Sequence, residues 1–251
     1  MRCRRFIFLL ALVATAARAE NVDILLAAAS DAELQPLIAK LESPATETRG
    51  AWQFWIGRIG AKKVALTRTE GDPLNAVAAT TLAIRRYSPK LVVTFGPARA
   101  HDPALQPGDA VASTGFAAFD GLVSPPRATG AGSTPLQWIP LRHPLMTAGE
   151  KETETAEFPA DPAALALARK LANPRGRVVA GVLGSANQVN READRIAWIR
   201  DHWHTSTEDG DSADVAGCAL LLGVPAIGIR VVDGNPGEAA GLVVQFLEAR
   251  P

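Results

Sequence analysis

Uniformly apolar runs alternate along this chain with segments whose apolar residues recur at helical spacing. Short runs typical of strands buried on both faces occupy residues 22–28, 91–95, 110–113, 178–183 and 224–232. Two further runs, Trp52–Ile59 and Lys62–Arg68, are joined at Gly60-Ala61 and predict a β-hairpin. Helical spacing predicts helices that begin after Ser30 and cover about 73–87, 161–172, 192–203, 211–222 and 238–249.

This alternation predicts a three-layer α/β/α sandwich with a central mixed β-sheet. In such sheets, ligands bind beyond the carboxyl ends of the strands. The segments to inspect are therefore residues 29–33, 69–72, 96–100, 184–190 and 233–237. Residues 120–159 are rich in Gly, Pro, Ser and Thr, which is typical of either a functional loop or an irregular surface segment.

The first residues have the three parts of a secretory signal in the right order. Residues 1–5 are basic, residues 6–14 are apolar, and Ala17-Arg18-Ala19 matches a cleavage site. We therefore expect a signal peptide over 1–19 and a single domain over 20–251, exported and periplasmic, with no membrane attachment after cleavage. The alternative is an uncleaved N-terminal anchor, although the apolar run is shorter than the ~20 residues that a spanning helix needs.

Removal of the signal changes the charge of the protein. The full chain has 251 residues, with 26 basic and 26 acidic side chains. Residues 1–19 contain four arginines and no acid, so the mature form would have 232 residues, a formal charge of −4 and a single cysteine, Cys218. This composition excludes an internal disulfide and disfavours a nucleic-acid partner, which would require a basic excess.

Three carboxylates stand at candidate ligand-binding positions: Glu33, Asp211 and Asp233. Each also has a purely structural interpretation. Ser30 and Glu33 fit a capping box, Asp211 suits the start of a helix, and Asp233-Gly234 is a common turn dipeptide. Sequence spacing alone does not show whether the three converge.

His202 and His204 raise a separate hypothesis, a metal site supported by nearby acids. Their position at a predicted helix end equally suits two solvated histidines. We expect no metal and no cofactor.

The order of these segments resembles the nucleoside phosphorylase superfamily, and within it the methylthioadenosine/S-adenosylhomocysteine nucleosidases. The resemblance extends over nearly all of the mature chain. Its most specific part is residues 102–113, where Gly108-Asp109 leads into a strand. It is also carried by residues 27–37, 52–68, 90–100, 209–211 and 229–233.

The resemblance implies an oligomeric enzyme, expected as a homodimer, that cleaves the N-glycosidic bond of a nucleoside-like small molecule. Glu33 would activate water, and Asp233 would protonate the departing base. Asp209 and Asp211 would bind ribose hydroxyls. The base would contact residues at the ends of two strands, namely Gly96, Pro97, Ser185, Asn187 and Val189.

Several positions depart from the family pattern. Asp209-Gly210-Asp211 replaces Glu-Met-Glu, Gly234 occupies the usual acid position, and Pro97 replaces a serine. Arg99-Ala100 replaces two glycines that allow the chain to approach a base. Thr69-Glu70-Gly71-Asp72 carries two acids where phosphorylases bind phosphate, which favours hydrolysis over phosphorolysis. The alternative function is a catalytically degenerate protein that binds a nucleoside or nucleobase.

Overall fold

A ten-stranded mixed sheet organises the chain in the computed structural model, which describes residues 21–147 and 151–250. The expected signal peptide lies outside the described residues. The strands are β1 (Ile24–Ala28), β2 (Glu42–Arg49), β3 (Trp52–Ile59), β4 (Lys62–Arg68), β5 (Leu91–Ala100), β6 (Ala110–Ala118), β7 (Leu122–Val123), β8 (Ile139–Pro140), β9 (His143–Thr147), β10 (Lys151–Thr155), β11 (Phe158–Pro159), β12 (Val178–Ser185), β13 (Thr205–Asp209) and β14 (Ala226–Val232). The helices are α1 (Asp31–Ile38), α2 (Pro73–Tyr87), α3 (Pro162–Ala168), α4 (Ala193–Trp203), α5 (Ser212–Leu221) and α6 (Pro236–Ala249), and a 3-10 turn covers Pro135–Gln137.

Part of the main sheet closes on itself. Its strand order is β11-β6-β12-β13-β5-β1-β4-β3-β2, and β14 pairs with both β5 and β6. Strands β5, β13, β12, β6 and β14 therefore form a closed ring, from which β1, β4, β3 and β2 extend. β1 and β14 both run parallel to β5, whereas β13 is antiparallel to it. The predicted mixed sheet is confirmed.

Helices cover the sheet on both faces, as the alternating side chains of β1 show. Ile24 and Leu26 pack into a core with α1, α3 and α6, whereas Leu25 and Ala27 pack into a second core with α2 and α5. Both sets are completely buried, which is why this strand reads as a continuous apolar run. The three-layer α/β/α arrangement is thus confirmed. A smaller third core joins α4 to β12 and to Phe119.

Three strands of the main sheet, β2, β11 and β13, were not predicted from the sequence. β2 is a polar, mostly exposed strand at the edge of the sheet, so it lacks an apolar pattern. β13 is a short polar segment, Thr205–Asp209, whose buried positions are occupied by Thr and Glu. Within the described part of the 120–159 region, β7 pairs with β8 and β9 pairs with β10 in two small separate sheets, whereas β11 joins the main sheet beside β6. α3 ends at Ala168, four residues before the predicted end.

Among the described residues, none of the helices is long and apolar enough to cross a membrane.

The Gly108-Asp109 motif ties together the starts and ends of three strands. The carboxylate of Asp109 accepts hydrogen bonds from the Arg177 amide and side chain, both at 2.8 Å, and from the Gln106 amide. The amide of Gly108 donates to the carbonyl of Val232, and the amide of Val232 donates to the carbonyl of Asp109. Gly108 has φ +92°, and a side chain there would press on the Arg175 carbonyl, so glycine is required.

We predict that Asp109→Ala lowers the free energy of unfolding by about 2–3 kcal/mol, because it leaves buried amide donors unpaired. Arg177→Gln is the matched control, and it should cost less than ~1 kcal/mol because that side chain is exposed. The bonds from Arg177, against the effect of burial, lower the pKa of Asp109 from 3.8 to about 2. The stabilisation is therefore complete above pH 4 and is lost as the pH falls towards 2. Urea unfolding at pH 7 and pH 3 measures both effects, and equal losses in the two variants would contradict the prediction.

Asp214, in the first turn of α5, generates a second prediction. Burial, reinforced by the charge of Asp120, raises its pKa from 3.8 to about 7. Its ionisation therefore weakens the fold increasingly from about pH 4 to pH 7. Asp214→Asn should raise the free energy of unfolding at pH 8 by about 2–4 kcal/mol and leave it unchanged near pH 4. Thermal unfolding across this range provides the measurement, with the exposed Asp201→Asn as control. A difference in the free energy of unfolding that is the same at all pH values would contradict the prediction.

Candidate functional site

Three carboxylates from distant parts of the sequence line one cavity. Glu33 on α1, Asp211 before α5 and Asp233 after β14 all contribute to a cavity of about 320 Å³. β1, β5 and β14 are parallel, so their carboxyl ends meet at this edge of the sheet. The structure therefore brings together the three acids that sequence spacing left unconnected.

A fully buried arginine, Arg230, lies against these acids. Its Nε donates to Asp209 at 3.0 Å, and its Nη2 donates to Asp211 at 3.3 Å and to the Thr94 hydroxyl at 3.0 Å. Burial opposes the guanidinium charge, but the charges of Asp209, Asp211 and Glu33 outweigh it and raise the pKa of Arg230. The arginine is thus a permanent cation that holds the acidic cluster together.

Arg230 is not among the residues predicted from the sequence, although its position carries a signal. It is the one charged residue of β14, a strand whose seven positions are all buried. A charge in such a run requires a partner, because an unpaired buried ion is very costly.

The Glu33 carboxylate is held from two sides. The Ser30 hydroxyl donates to it at 2.8 Å and the Ala29 amide at 3.2 Å. The capping-box interpretation is wrong in its strict form, because the Ser30 side chain accepts no helix amide and instead donates to Glu33. A side chain at Gly96 would collide with the Glu33 carboxylate and with Arg230, so glycine makes room for both.

Asp211 is the N-cap residue of α5, but its side chain caps nothing. One oxygen receives the Arg230 guanidinium and the other contacts the Thr69 hydroxyl. Burial raises the pKa of Asp211 to about 6; Asp209 and Glu33 act in the same direction, whereas Arg230 and Thr69 oppose the rise.

Asp209 performs the capping instead. Its Oδ1 accepts from the amides of Asp211 and Ser212, at 2.9 and 2.7 Å, and from the Ser185 hydroxyl. Its Oδ2 accepts from Ser212 and Arg230. Asp209 lines the cavity, but these five donors occupy its oxygens and make it a positioning residue. Its sequence-predicted contact with ribose therefore lacks a free acceptor.

Asp233 is an exposed residue at the rim of the cavity. It follows β14 and adopts the left-handed region, with φ +45°, and its amide donates to the Ala98 carbonyl. The amide of Gly234 donates to the Val231 carbonyl, so the turn interpretation also holds. Asp233 therefore belongs to a turn and also lines the cavity.

The predicted base-binding residues divide between two adjoining cavities and the protein interior. Pro97 lines the first cavity, whereas Asn187 and Val189 line a second of about 290 Å³. Gly96 packs against the Glu33 carboxylate. Ser185 is buried, and its hydroxyl hydrogen-bonds to the Asp209 carboxylate, to the Ser212 hydroxyl and to the Ala213 amide. The structure therefore does not bring Gly96 and Ser185 to the surface of either cavity.

Four residues line both cavities: Arg99, Glu208, Asp209 and Gly210. Gly210 lies against the Gly71 carbonyl, with which any side chain would collide. The 69–72 loop therefore occupies the space that the methionine of the family motif would need. The Glu70 side chain pairs with Arg68 at 2.7 Å.

Glu208 is a further buried acid of the cavity, which the sequence suggested only as one of the acids near His202 and His204. Its carboxylate contacts His101 Nε2 at 3.1 Å, the Asn190 amide at 3.1 Å and the Asn190 side chain. Burial would raise the pKa of Glu208, but its bonds to His101 and Asn190 lower it. His101 is itself fixed by Thr205, 2.7 Å from its Nδ1. These contacts join strands that are far apart in sequence, so no local motif announces them.

The two histidines of the metal hypothesis serve structural roles. The His202 ring packs on Trp198 and its Nδ1 lies 2.7 Å from the Trp198 carbonyl, whereas His204 ends α4 with φ +55°. Within residues 21–147 and 151–250, no three His, Cys, Asp or Glu side chains are grouped as a metal would require.

Comparisons with known proteins agree with this geometry. A 5'-methylthioadenosine/S-adenosylhomocysteine nucleosidase of Bacillus thuringiensis (strain Al Hakam) is 28% identical over 224 residues, which cover 88% of this chain and 89% of the relative. The Neisseria meningitidis nucleosidase of the same name, solved with methylthio-immucillin-A, superposes with a TM-score of 0.74 at 19% identity and covers 91% of this chain and 99% of that one. A futalosine hydrolase mutant of Helicobacter pylori gives 0.67 at 18% identity, with 90% and 93% covered.

A family model described as "Phosphorylase superfamily" matches residues 23–249. That match runs from the residue before β1 to the end of α6 and includes all the acids of the cavity. The chain belongs to the phosphorylase superfamily.

Proposed function

We propose that the protein hydrolyses the N-glycosidic bond of a nucleoside-like substrate. The observation that carries this proposal is the convergence of Glu33, Asp211 and Asp233 on one cavity. Cleavage of this bond passes through an oxocarbenium-like ribosyl cation. Acidic side chains stabilise this cation and can direct a water molecule to it. The names of the curated relatives support the same reaction type.

Glu33 is placed to activate the water. Its carboxylate is buried but faces the cavity, and the Ser30 hydroxyl and the Ala29 amide fix its orientation. In the proposed step, the water oxygen bonds to the anomeric carbon while its proton passes to Glu33. General base catalysis of this kind requires a carboxylate held at hydrogen-bond reach of the water.

The acidic cluster next to Glu33 suits a developing cation. Three carboxylates, on Glu33, Asp209 and Asp211, face one guanidinium, so the cluster is net negative when all are ionised. Preorganised charges of this kind stabilise a transition state without reorganising during the reaction. Asp211 is the candidate for accepting a hydrogen bond from a ribose hydroxyl. Its two oxygens contact Arg230 and Thr69, and each oxygen can accept one more donor.

The departing base requires a proton. As the glycosidic bond breaks, its electron pair passes to a base nitrogen, which takes a proton from Asp233 at the rim of the cavity. The proton accepted by Glu33 returns to Asp233 through solvent, so the products are the free base and ribose.

Hydrolysis is favoured over phosphorolysis by the 69–72 loop. The Thr69 hydroxyl contacts the Asp211 carboxylate, and the Gly71 carbonyl packs on Gly210, next to Asp209. Repulsion from these carboxylates disfavours phosphate at this end of the site.

A nucleoside-binding protein without catalysis is the second candidate. It is favoured by the exposure of Asp233 and by the glycine that follows it at the usual acid position. The two candidates differ in one measurable outcome, the release of free base.

We predict that the purified protein releases free base and reducing ribose from members of a nucleoside panel, with a rate independent of added phosphate. Glu33→Gln should lower kcat by about 10²–10⁴-fold, because it removes the general base, while the substrate still binds. Chromatography measures base release and calorimetry measures binding. Glu42→Gln, an exposed carboxylate on β2, is the control. Binding without base release would favour the second candidate, and neither binding nor release would reject both.

The mature form provides a separate prediction. We propose that the chain is exported, loses residues 1–19 and forms a homodimer.

The homodimer is suggested by exposed apolar side chains on α2 and α5. Leu74, Val77 and Leu221 are 82%, 44% and 45% exposed, and Val77 and Leu221 line one apolar cavity of about 260 Å³ between these helices. Exposed apolar surface of this kind is typical of an interface, and here a second copy would cover it. N-terminal sequencing of the periplasmic form should begin at Glu20, and sedimentation should give twice the monomer mass. Full-length monomer in the cytoplasm would contradict both parts.

A further inference from the structure

Arg99 places a guanidinium where the two cavities meet. It lies on β5 beyond Gly96 and Pro97, and its side chain is 50% exposed. Two arginines line these cavities, and the other, Arg230, is enclosed by Asp209 and Asp211. Arg99 is therefore the cation available to a ligand.

The position of Arg99 is fixed from behind. In the register of β13 against β5, Glu208 stands directly opposite Arg99. The Arg99 Nη1 lies 3.6 Å from the Glu208 carboxylate, so the contact is an ion pair longer than a hydrogen bond. Glu208 keeps the guanidinium at the cavity but leaves its N–H groups free to donate to a ligand.

Glu208 is itself tightly held. Its oxygens receive the Asn190 amide, the Asn190 side chain and His101, and it is 2% exposed. Asn190 also ends the 186–189 segment that lines the second cavity. One buried carboxylate thus positions both Arg99 and the opposite wall of that cavity. Because its oxygens already accept these donors, Glu208 is a poor acceptor for a ligand.

On the basis of the proposed function, we propose that Arg99 selects a leaving base with a carbonyl oxygen, a 6-oxopurine, over one with an amino group, a 6-aminopurine. A guanidinium has donors and no acceptor. The O6 of an oxopurine accepts hydrogen bonds, whereas the amino group of adenine is a donor at the same position. An amino group against Arg99 would leave two donors face to face, and the site would lose a hydrogen bond.

The surrounding charges favour a neutral carbonyl over an anionic ligand. Asp209, Glu208 and Asp233 line the same cavity as Arg99 and would repel a phosphate or a carboxylate. In the proposed arrangement, Arg99 donates to O6 while Asp233 supplies the proton to the base nitrogen. The two residues then contact neighbouring atoms of one edge of the base.

The test compares hypoxanthine with adenine by calorimetry on the whole protein. Wild type should bind hypoxanthine about tenfold or more tightly, the ratio expected for one hydrogen bond to a charged group. Arg99→Leu should lose that preference through weaker hypoxanthine binding, with adenine affinity changed less than about threefold. Arg99→Lys should retain part of the preference, because lysine keeps a charged donor. Arg169→Leu, an exposed arginine that follows α3, is the control and should behave as wild type.

Four results would overturn the inference: a wild-type preference for adenine, equal wild-type binding of both bases, an equal loss of affinity for both bases in Arg99→Leu, or no binding of either base. Thermal unfolding of each variant separates loss of recognition from loss of folding, and a destabilised Arg99→Leu leaves Arg99→Lys as the deciding variant. Release of base from inosine and adenosine is measured in parallel. Discrimination between the bases without any release of base would reject the hydrolase function and leave the proposed role of Arg99 standing. Equal release from both nucleosides, with equal binding of both bases, would reject the role of Arg99 and leave the hydrolase function standing.

Discussion

The buried ion cluster around Arg230 is the constraint on which the site depends. A guanidinium without exposure to water is stable only where carboxylates and hydroxyls surround it, and removal of one partner from such a cluster typically costs about 3–5 kcal/mol. Asp209, Asp211 and Thr94 provide this environment, from β13, from the turn before α5 and from β5. The arginine therefore fixes the relative positions of three segments that the backbone alone would leave adjustable.

The closed part of the sheet delivers these groups to the same place. Arg230 on β14 pairs in register with Gly96 on β5, and the absence of a side chain at Gly96 leaves room for Glu33 above the arginine. β13 crosses antiparallel to β5 and brings Glu208 opposite Arg99, three residues further along. Backbone pairing thus places Arg230 beside the acidic cluster and Arg99 beside Glu208, so that each guanidinium lies next to a carboxylate. The ends of the cavity proposed for catalysis and for base recognition share one scaffold strand, β5.

The sequence predicted those features that depend on local patterns. Apolar runs identified β1, β5, β6, β12 and β14 because these strands are largely buried, and helical spacing found α1 to α6, although α3 is shorter than predicted. Glu33, Asp211 and Asp233 stood out because each follows or precedes a strand or helix where ligands usually bind. β13, and with it the place of Glu208 beside Arg99, was missed, since a polar strand that is buried by its neighbours has no apolar signature. The partners of Arg230 and Glu208 come from distant segments, and pairings of that kind appear only when the sheet order is known.

The departures from the family pattern are mutually consistent, which argues for adaptation of the site over decay. Gly210 lacks a side chain because the Gly71 carbonyl fills the space beside it. Arg99 replaces a glycine, and Glu208 lies in register to balance its charge. Glu208 is buried, and His101 and Asn190 satisfy its oxygens. Loss of selection would leave some of these buried charges without partners, because an unpaired ion costs several kcal/mol and each compensating residue lies on a different element. A set of substitutions in which each charge is matched therefore favours the proposal that the site is retained for a ligand.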